Sequence, residues 1–179
     1  DYHLIAYTDN IVETSFIPDN EIVTEKSHAV VLVPKAHFNI EETTDEILLQ
    51  TPGIVVSITK KPFKLTYFYK GKELIAERKG YLKENGMEVL DFNISDDEVL
   101  WGGGARALGM NRRGHRLDLY NKAHYGYETH SELMNFTMPL VFSSKGYGIH
   151  FDNAPIGFLD LDSKQDNSLR YETISGRKT

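Results

Sequence analysis

An antiparallel β-sandwich is the fold this sequence predicts, and three observations predict it. Short β-branched or aromatic runs recur along the chain, turn residues separate them at close intervals, and no apolar repeat of about 3.6 residues is sustained anywhere. The length of 179 residues suits one domain spanning 1–179, which can bury about 70% of its unfolded surface.

The first apolar run lies at residues 29–33. Residues 54–59 are β-branched and apolar until Lys60, Lys61 and Pro62 break them. Residues 63–69 alternate and are rich in aromatics, Lys70-Gly71-Lys72 turns the chain, and residues 74–76 return, which is a hairpin signature. Further strands are expected at 87–92, 117–120, 140–143, 147–151 and 169–174. Residues 43–49 and 96–100 have room for a helical turn at most. No internal repeat, low-complexity segment or linker interrupts the pattern.

Composition narrows the classes of function. Hydrophobic residues make up 40% and charged residues 26%, as in ordinary soluble proteins. Twenty basic against 26 acidic residues give −6, where a nucleic-acid binder would carry a basic face. No cysteine is present, which excludes disulfides and thiolate sites and leaves the compartment open. No apolar run approaches the roughly 20 residues of a membrane helix. The chain opens on Asp1 without a visible leader, so a soluble protein is expected, periplasmic or secreted if a leader has been removed.

Each candidate site has a structural reading beside the functional one. Gly102, Gly103 and Gly104 lack the G-x-G-x-x-G spacing of a phosphate cradle, and a tight turn or close backbone approach is expected instead. The cationic turn Asn111-Arg112-Arg113-Gly114-His115-Arg116 is able to grip an anion through guanidinium forks. The favoured alternative is that its arginines bridge to a neighbouring domain or hydrogen-bond loop carbonyls. Asp160, Asp162, Asp166 and Asn167 imitate the start of a calcium loop, but Gln165 stands where Gly is required and Tyr171 where Glu is, so a solvated acidic turn is expected. The histidines lack zinc-site spacing, and His28, His37 and His150 read as half-buried strand residues. No metal or cofactor is expected. Two glycosylation sequons, at Asn93 and Asn135, carry no weight without a secretory context. Last, Asn121, Lys122, Ala123, His124, Tyr125, Gly126 and Tyr127 combine aromatic faces for a sugar's C–H surface with polar groups for its hydroxyls. Packing at a loop corner is the competing account.

Read in order, the glycine turn, the basic turn, the Tyr-Gly-Tyr loop and the hairpin Ser143-Ser144-Lys145-Gly146-Tyr147-Gly148 running to Asn153 resemble the N-terminal domain of glycoside hydrolase family 31, the α-glucosidase and α-xylosidase family. The likeness is strongest over 99–153 and looser over 47–89, where a strand beginning Pro62-Phe63 precedes a Gly turn. It implies a galactose mutarotase-like supersandwich within a retaining α-glycosidase. In this family the nucleophile and acid/base carboxylates, about 5–5.5 Å apart, lie on a (β/α)8 barrel expected after this domain. No catalytic role therefore falls on a residue of this chain. The implied partners are an α-linked oligosaccharide or glycoside and the barrel of the same polypeptide. The implied substrate contacts are Asn121, Lys122, Ala123, His124 and Tyr125, because the family's matching loop leans over the barrel mouth. Two departures stand out: Ala105 and Ala123 occupy positions where the family commonly has acidic residues, so specificity for simple glucosides is in question. Two rival classes remain. One is a stand-alone carbohydrate-binding module using the same loop. The other is a mutarotase-type enzyme, which would draw a His acid and Glu base from His124, His130, Glu128 and Glu132.

Overall fold

In the computed structural model the chain is all-β, and its described residues, 1–19, 27–123, 125–131 and 136–179, include no helix. The chain starts with the hairpin β1 (Tyr2–Thr8) and β2 (Ile11–Phe16). An unbroken antiparallel meander follows: β3 (Asn39–Glu42), β4 (Glu46–Gln50), β5 (Ile54–Lys60), β6 (Phe63–Tyr69), β7 (Lys72–Glu84) and β8 (Met87–Asn93). Next, β9 (Leu100–Gly104) leaves for another sheet and β10 (His115–Leu119) returns to the first. Strands β11 (Thr137–Ser143) and β12 (Gly148–His150) join β9, and β13 (Gly157–Leu161) and β14 (Ser168–Thr173) complete the large sheet. The result is a nine-stranded sheet ordered β10-β13-β14-β8-β7-β6-β5-β4-β3, faced by the three-stranded sheet β12-β11-β9 and by the β1-β2 hairpin.

The large sheet is covered by two different partners and so has two cores. At one end Leu100 and Val141 of the small sheet meet Leu117, Leu159, Leu161, Leu169 and Tyr171, with Phe92 and Phe151. Eight of these nine residues are no more than 2% exposed, which marks close packing, and each fully buried Leu contributes about 1.5–3 kcal/mol. At the other end Leu49, Val56, Ile58 and Leu65 pack under Tyr2, Leu4 and Val12 of the hairpin. Tyr67 touches both clusters and marks the seam between them.

The meander is where alternation reads most clearly, and β6 matches the expected 63–69 residue for residue. Strand β7 runs much further than the expected 74–76, because Asn85-Gly86 closes a two-residue turn onto β8 with φ of 51° and 78°. Strands β1, β2, β3 and β13 were not expected at all; polar residues such as His3, Glu13, Thr14 and Asp160 interrupt their apolar pattern, and β3 is exposed throughout. Residues 29–33 form no strand. The Ala29 and Val30 amides bond to Ser27 Oγ and Pro34 follows, so the segment lacks a ladder partner, and Val31 is 89% exposed. Residues 43–49 are a turn capped by Thr43 Oγ1 and then β4, while 96–97 are a plain turn, so neither place is helical. His28 and His37 are exposed outside any strand, and His150 is exposed on β12. No helix among the described residues is long and apolar enough to cross a membrane.

A buried carboxylate sits at the seam. The β7-β8 register shifts between Glu77 and Gly80. Glu77, 4% exposed, turns its Oε2 onto the amide of Leu65 at 2.9 Å, serving where the β6-β7 ladder has ended. Burial pushes its carboxyl from 4.5 up to about 7, against the pull of the Leu65 amide and of Lys64. The folded state therefore holds this proton more tightly than the unfolded chain does. That contribution is fully present below about pH 4.5 and is lost as the pH rises through about 7. Glu77→Gln keeps an acceptor for Leu65 and removes the titration. Urea unfolding across this window should show wild-type stability falling with pH by on the order of 2–3 kcal/mol, and the Gln variant losing that component.

Candidate functional site

The candidate site grows from the irregular chain that links β8 through β9 to β10. Its glycines serve close packing. Gly102 has φ of 123°, and a Cβ there would stand 2.1 Å from the Leu140 carbonyl oxygen. At Gly103 a Cβ would meet Leu117 Cδ1 at 2.3 Å. The three glycines thus belong to strand β9 and give the expected close approach, here to β11 and β10, in place of a tight turn.

Three of the four arginines of this segment bind carbonyls. Arg106, 7% exposed, donates from Nε to Gly103 O at 3.0 Å and from Nη2 to Asp118 O at 2.6 Å, which ties the end of β9 to the end of β10. Burial lowers its guanidinium from the ordinary value, with Asp118 opposing. Arg112 donates to the carbonyls of Leu108 (2.8 Å), Gly109 (2.6 Å) and Gly102 (3.4 Å). Arg113 reaches the carbonyls of Ser95, Asp96 and Glu98 and pairs with Asp162 at 2.8 Å. Arg116 pairs with Glu172 at 2.6 Å and lies 3.5 Å over the Phe158 ring. Within this domain the basic turn is therefore a carbonyl clamp. Arg106 was not singled out from the sequence, although an Arg two residues after a glycine run was the available signal.

The acidic turn and the hairpin are also scaffold. Asp160 caps Ser163, Asp162 accepts the amides of Asn167 and Ser168, and Asp166 accepts Ser168 Oγ and Arg78. Asp160 and Asp162 are each 3% exposed, so the start of this turn is buried and capped, while residues 164–167, Asp166 and Asn167 among them, are exposed as expected of a solvated turn. In the β11-β12 hairpin Ser143 Oγ and Tyr147 OH both donate to Glu98 Oε1, while Glu98 Oε2 accepts the Ser95 amide at 2.9 Å. Burial and this carboxylate push the Tyr147 phenol up. Lys145 adds an ion pair to Asp97 at 2.7 Å.

The loop that follows β10 differs in kind. Asn121 Oδ1 accepts the amide and hydroxyl of Thr137, at 2.6 and 3.0 Å, which holds the loop to the start of β11. Its far end returns through His130, whose amide donates to Ala107 O at 2.8 Å and whose φ is 69°. Between these anchors Lys122, Ala123, Tyr125, Gly126 and Tyr127 are exposed, Tyr125 to 90%. Of the five expected substrate contacts, Lys122, Ala123 and Tyr125 share this open stretch. Asn121 is an anchor of it, and His124 lies outside the described residues, as do Glu132 and Asn135. Close by in sequence, Tyr120 and Phe136 are about half exposed, at 46% and 48%.

The geometry is that of a locked root with an aromatic tip, on a two-sheet β domain. The model of the glycosyl hydrolase 31 N-terminal galactose mutarotase-like domain matches residues 1–160. The chain belongs to glycoside hydrolase family 31. Solved structures of family 31 enzymes share its fold. A Flavobacterium johnsoniae dextranase complexed with isomaltotriose is 24% identical with a TM-score of 0.89, over 98% of this chain and 22% of its own. A Xanthomonas citri α-xylosidase is also 24% identical, with a TM-score of 0.71 over 88% of this chain and 17% of its own. The Listeria monocytogenes cycloalternan-forming enzyme, complexed with a pentasaccharide substrate, is 18% identical with a TM-score of 0.80, over 96% of this chain and 16% of its own. The chain thus spans about a fifth of the length of these structures. No curated protein matches it in sequence.

Gly102 offers a test of this scaffold. In Gly102→Ala the new methyl meets a backbone carbonyl and φ lies where L-residues are strained, so chemical unfolding should show a loss of about 2–4 kcal/mol. Gly109→Ala, with nothing within 4 Å of a built Cβ and no positive φ, should be close to neutral.

Proposed function

We propose that this family 31 domain serves an α-glucosidase-like enzyme that hydrolyses α-linked sugars at the non-reducing end, and that it lends the 121–127 loop to the substrate pocket. The observation that carries the reading is the contrast within one loop: anchored at Asn121 and His130, it leaves Tyr125 almost wholly exposed. Exposed tyrosine beside Lys122 is contact surface for a ring with an apolar face and hydroxyl edges. His124 belongs to the same proposed set by its place in the sequence. The dextranase, α-xylosidase and cycloalternan-forming relatives act in the same chemical field, α-linked sugars, and support the class.

The bond-breaking carboxylates are assigned to a barrel domain of the same polypeptide, acting as nucleophile and acid/base. The outer face of the small sheet is the proposed dock for it. Trp101 and Phe142 are cross-strand partners there, Phe142 is 52% exposed, and Leu140 pairs with exposed His150. Such an apolar face on a soluble domain marks an interaction surface.

Two measurements test this reading. Residues 1–179 alone should show no turnover of an aryl α-glycoside; activity in a preparation free of contaminating glycosidase would refute the division of labour. In the intact enzyme, Ala123→Asp should shift the kcat/KM ratio between α-glucoside and α-xyloside by roughly tenfold, the worth of one charge-assisted hydrogen bond. Tyr125→Ala should raise KM while the pH optimum, set by the barrel carboxylates, stays in place. If both variants match the parent on every sugar, the loop is scaffold.

A further inference from the structure

A cavity of about 710 Å³ opens at the seam between the two cores, within the range of about 300–1,000 Å³ typical of small-ligand sites. Its floor is the inner face of the large sheet, with Tyr67, Ile75, Glu77 and Phe92. One wall is the first hairpin, with Tyr2 and Thr14, and the other is the chain around β12. The cavity is separate from the 121–127 loop, none of whose described residues lines it.

The chemistry of the lining is selective. The cations near its rim are already paired: Arg177 with Asp152 at 2.8 Å and Lys178 with Glu88 at 3.1 Å. That disfavours an anionic ligand. Of the other polar lining residues, Asn10 and His150 are exposed and Glu13 is engaged by Tyr7 OH and Arg177, which leaves hydroxyls and the Glu77 carboxylate. Tyr67 OH and Thr14 Oγ1 share a hydrogen bond of 2.8 Å, and burial raises the Tyr2 phenol to about 12, so both phenols keep their protons. Glu77 has no ion pair among the described residues within salt-bridge distance, and at neutral pH it is partly protonated, a poor counter-charge for a cationic ligand. Capping Leu65 would be served equally by a neutral amide, so the cap alone does not account for an acid in this place. Tyrosine faces, neutral hydroxyls and an acceptor carboxylate together suit a neutral polyhydroxylated ring.

We infer that this seam cavity is a second carbohydrate-binding site, taking a neutral pyranose unit of an α-linked oligosaccharide with Glu77, Tyr67 and Tyr2 as its contacts. It would hold a sugar chain on the domain without taking part in bond cleavage. The inference is independent of the loop, and its test keeps the two apart. Isomaltotriose is titrated into the 179-residue chain while backbone amide shifts are followed by NMR. Saturable shifts should appear at residues 65–67, 77 and 146–152, with a Kd on the order of 1 mM. Tyr67→Phe, and Glu77→Gln measured above neutral pH, should each weaken binding about fivefold, the effect of one hydrogen bond, with thermal unfolding confirming that both variants fold. Tyr125→Ala should leave this binding unchanged. Shifts confined to the 120–131 loop and abolished by Tyr125→Ala would overturn the cavity site while supporting the loop. No saturable shift anywhere, or binding of an apolar naphthalene sulfonate dye in the cavity with no response to sugar, would also overturn it.

Discussion

Everything around the candidate site depends on satisfying backbone carbonyls that have no strand to pair with. The chain from Ile94 to Gly114 crosses between the two sheets and contains one short strand, β9, so most of its carbonyls fall outside any ladder. An unpaired buried carbonyl costs on the order of 1–3 kcal/mol, and several together would unfold a domain of this size. Three arginines remove that cost. Among the described residues, Arg106, Arg112 and Arg113 aim guanidinium donors at eight carbonyls: two from Arg106, three from Arg112 and three from Arg113. Lysine cannot replace them, since a point ammonium lacks the planar fork that reaches several acceptors at fixed angles. Once the crossing is locked, the end of β10 is fixed relative to β9, and the exposed loop begins from a defined place.

This arrangement gives the most recognisable residues of the chain a scaffolding role. The basic turn clamps carbonyls, the Ser-Lys-Gly-Tyr hairpin is tied to Glu98, and the glycines let β9 approach β11 and β10. Each is a solution to a packing or hydrogen-bonding problem that any domain of this shape must solve. The open loop from Lys122 to Tyr127 has few such obligations, and so it is free to vary. Function on a shared fold sits in such grafted segments, and scaffold likeness identifies a family more readily than a substrate.

What could be read in the sequence follows the same division. The meander was legible because half-buried strands alternate: residues 63–69 place Leu65 and Tyr67 on the core side, and the Gly71 turn returns the chain at once. The first hairpin was not, because Glu13, Thr14 and Ser15 sit beside apolar neighbours and hide the alternation of β2. The Asn85-Gly86 turn was a clear hairpin signal and would have extended β7 to its full length. Residues 29–33 misled for the opposite reason: their apolar, β-branched run looks like a strand, but Ser27 and Pro34 leave it without a ladder. At the candidate site, residue types singled out the loop for attention, whereas the anchoring role of Asn121 depends on Thr137, sixteen residues away, and no local pattern contains that. Arg106 and Glu77 were invisible for the same reason, since what makes each matter is the distant backbone group it meets.

The two-core design has a consequence for Glu77. A sheet of nine strands is too wide for either covering layer, and the hairpin and the small sheet meet it at opposite ends. A seam must lie where they adjoin, and there the large sheet cannot be closed by apolar packing alone. The bulge between Glu77 and Gly80 falls at this seam, so the break in the ladder and the gap in the cover coincide. A polar side chain is needed to cap Leu65, yet the same burial that makes the cap necessary raises the carboxyl's proton affinity. Glu77 is thus held between two demands of one architecture, as an acceptor required by the strand below it and as a charge disfavoured by the core around it. A cavity beside such a group is a direct product of covering one broad sheet with two narrow layers.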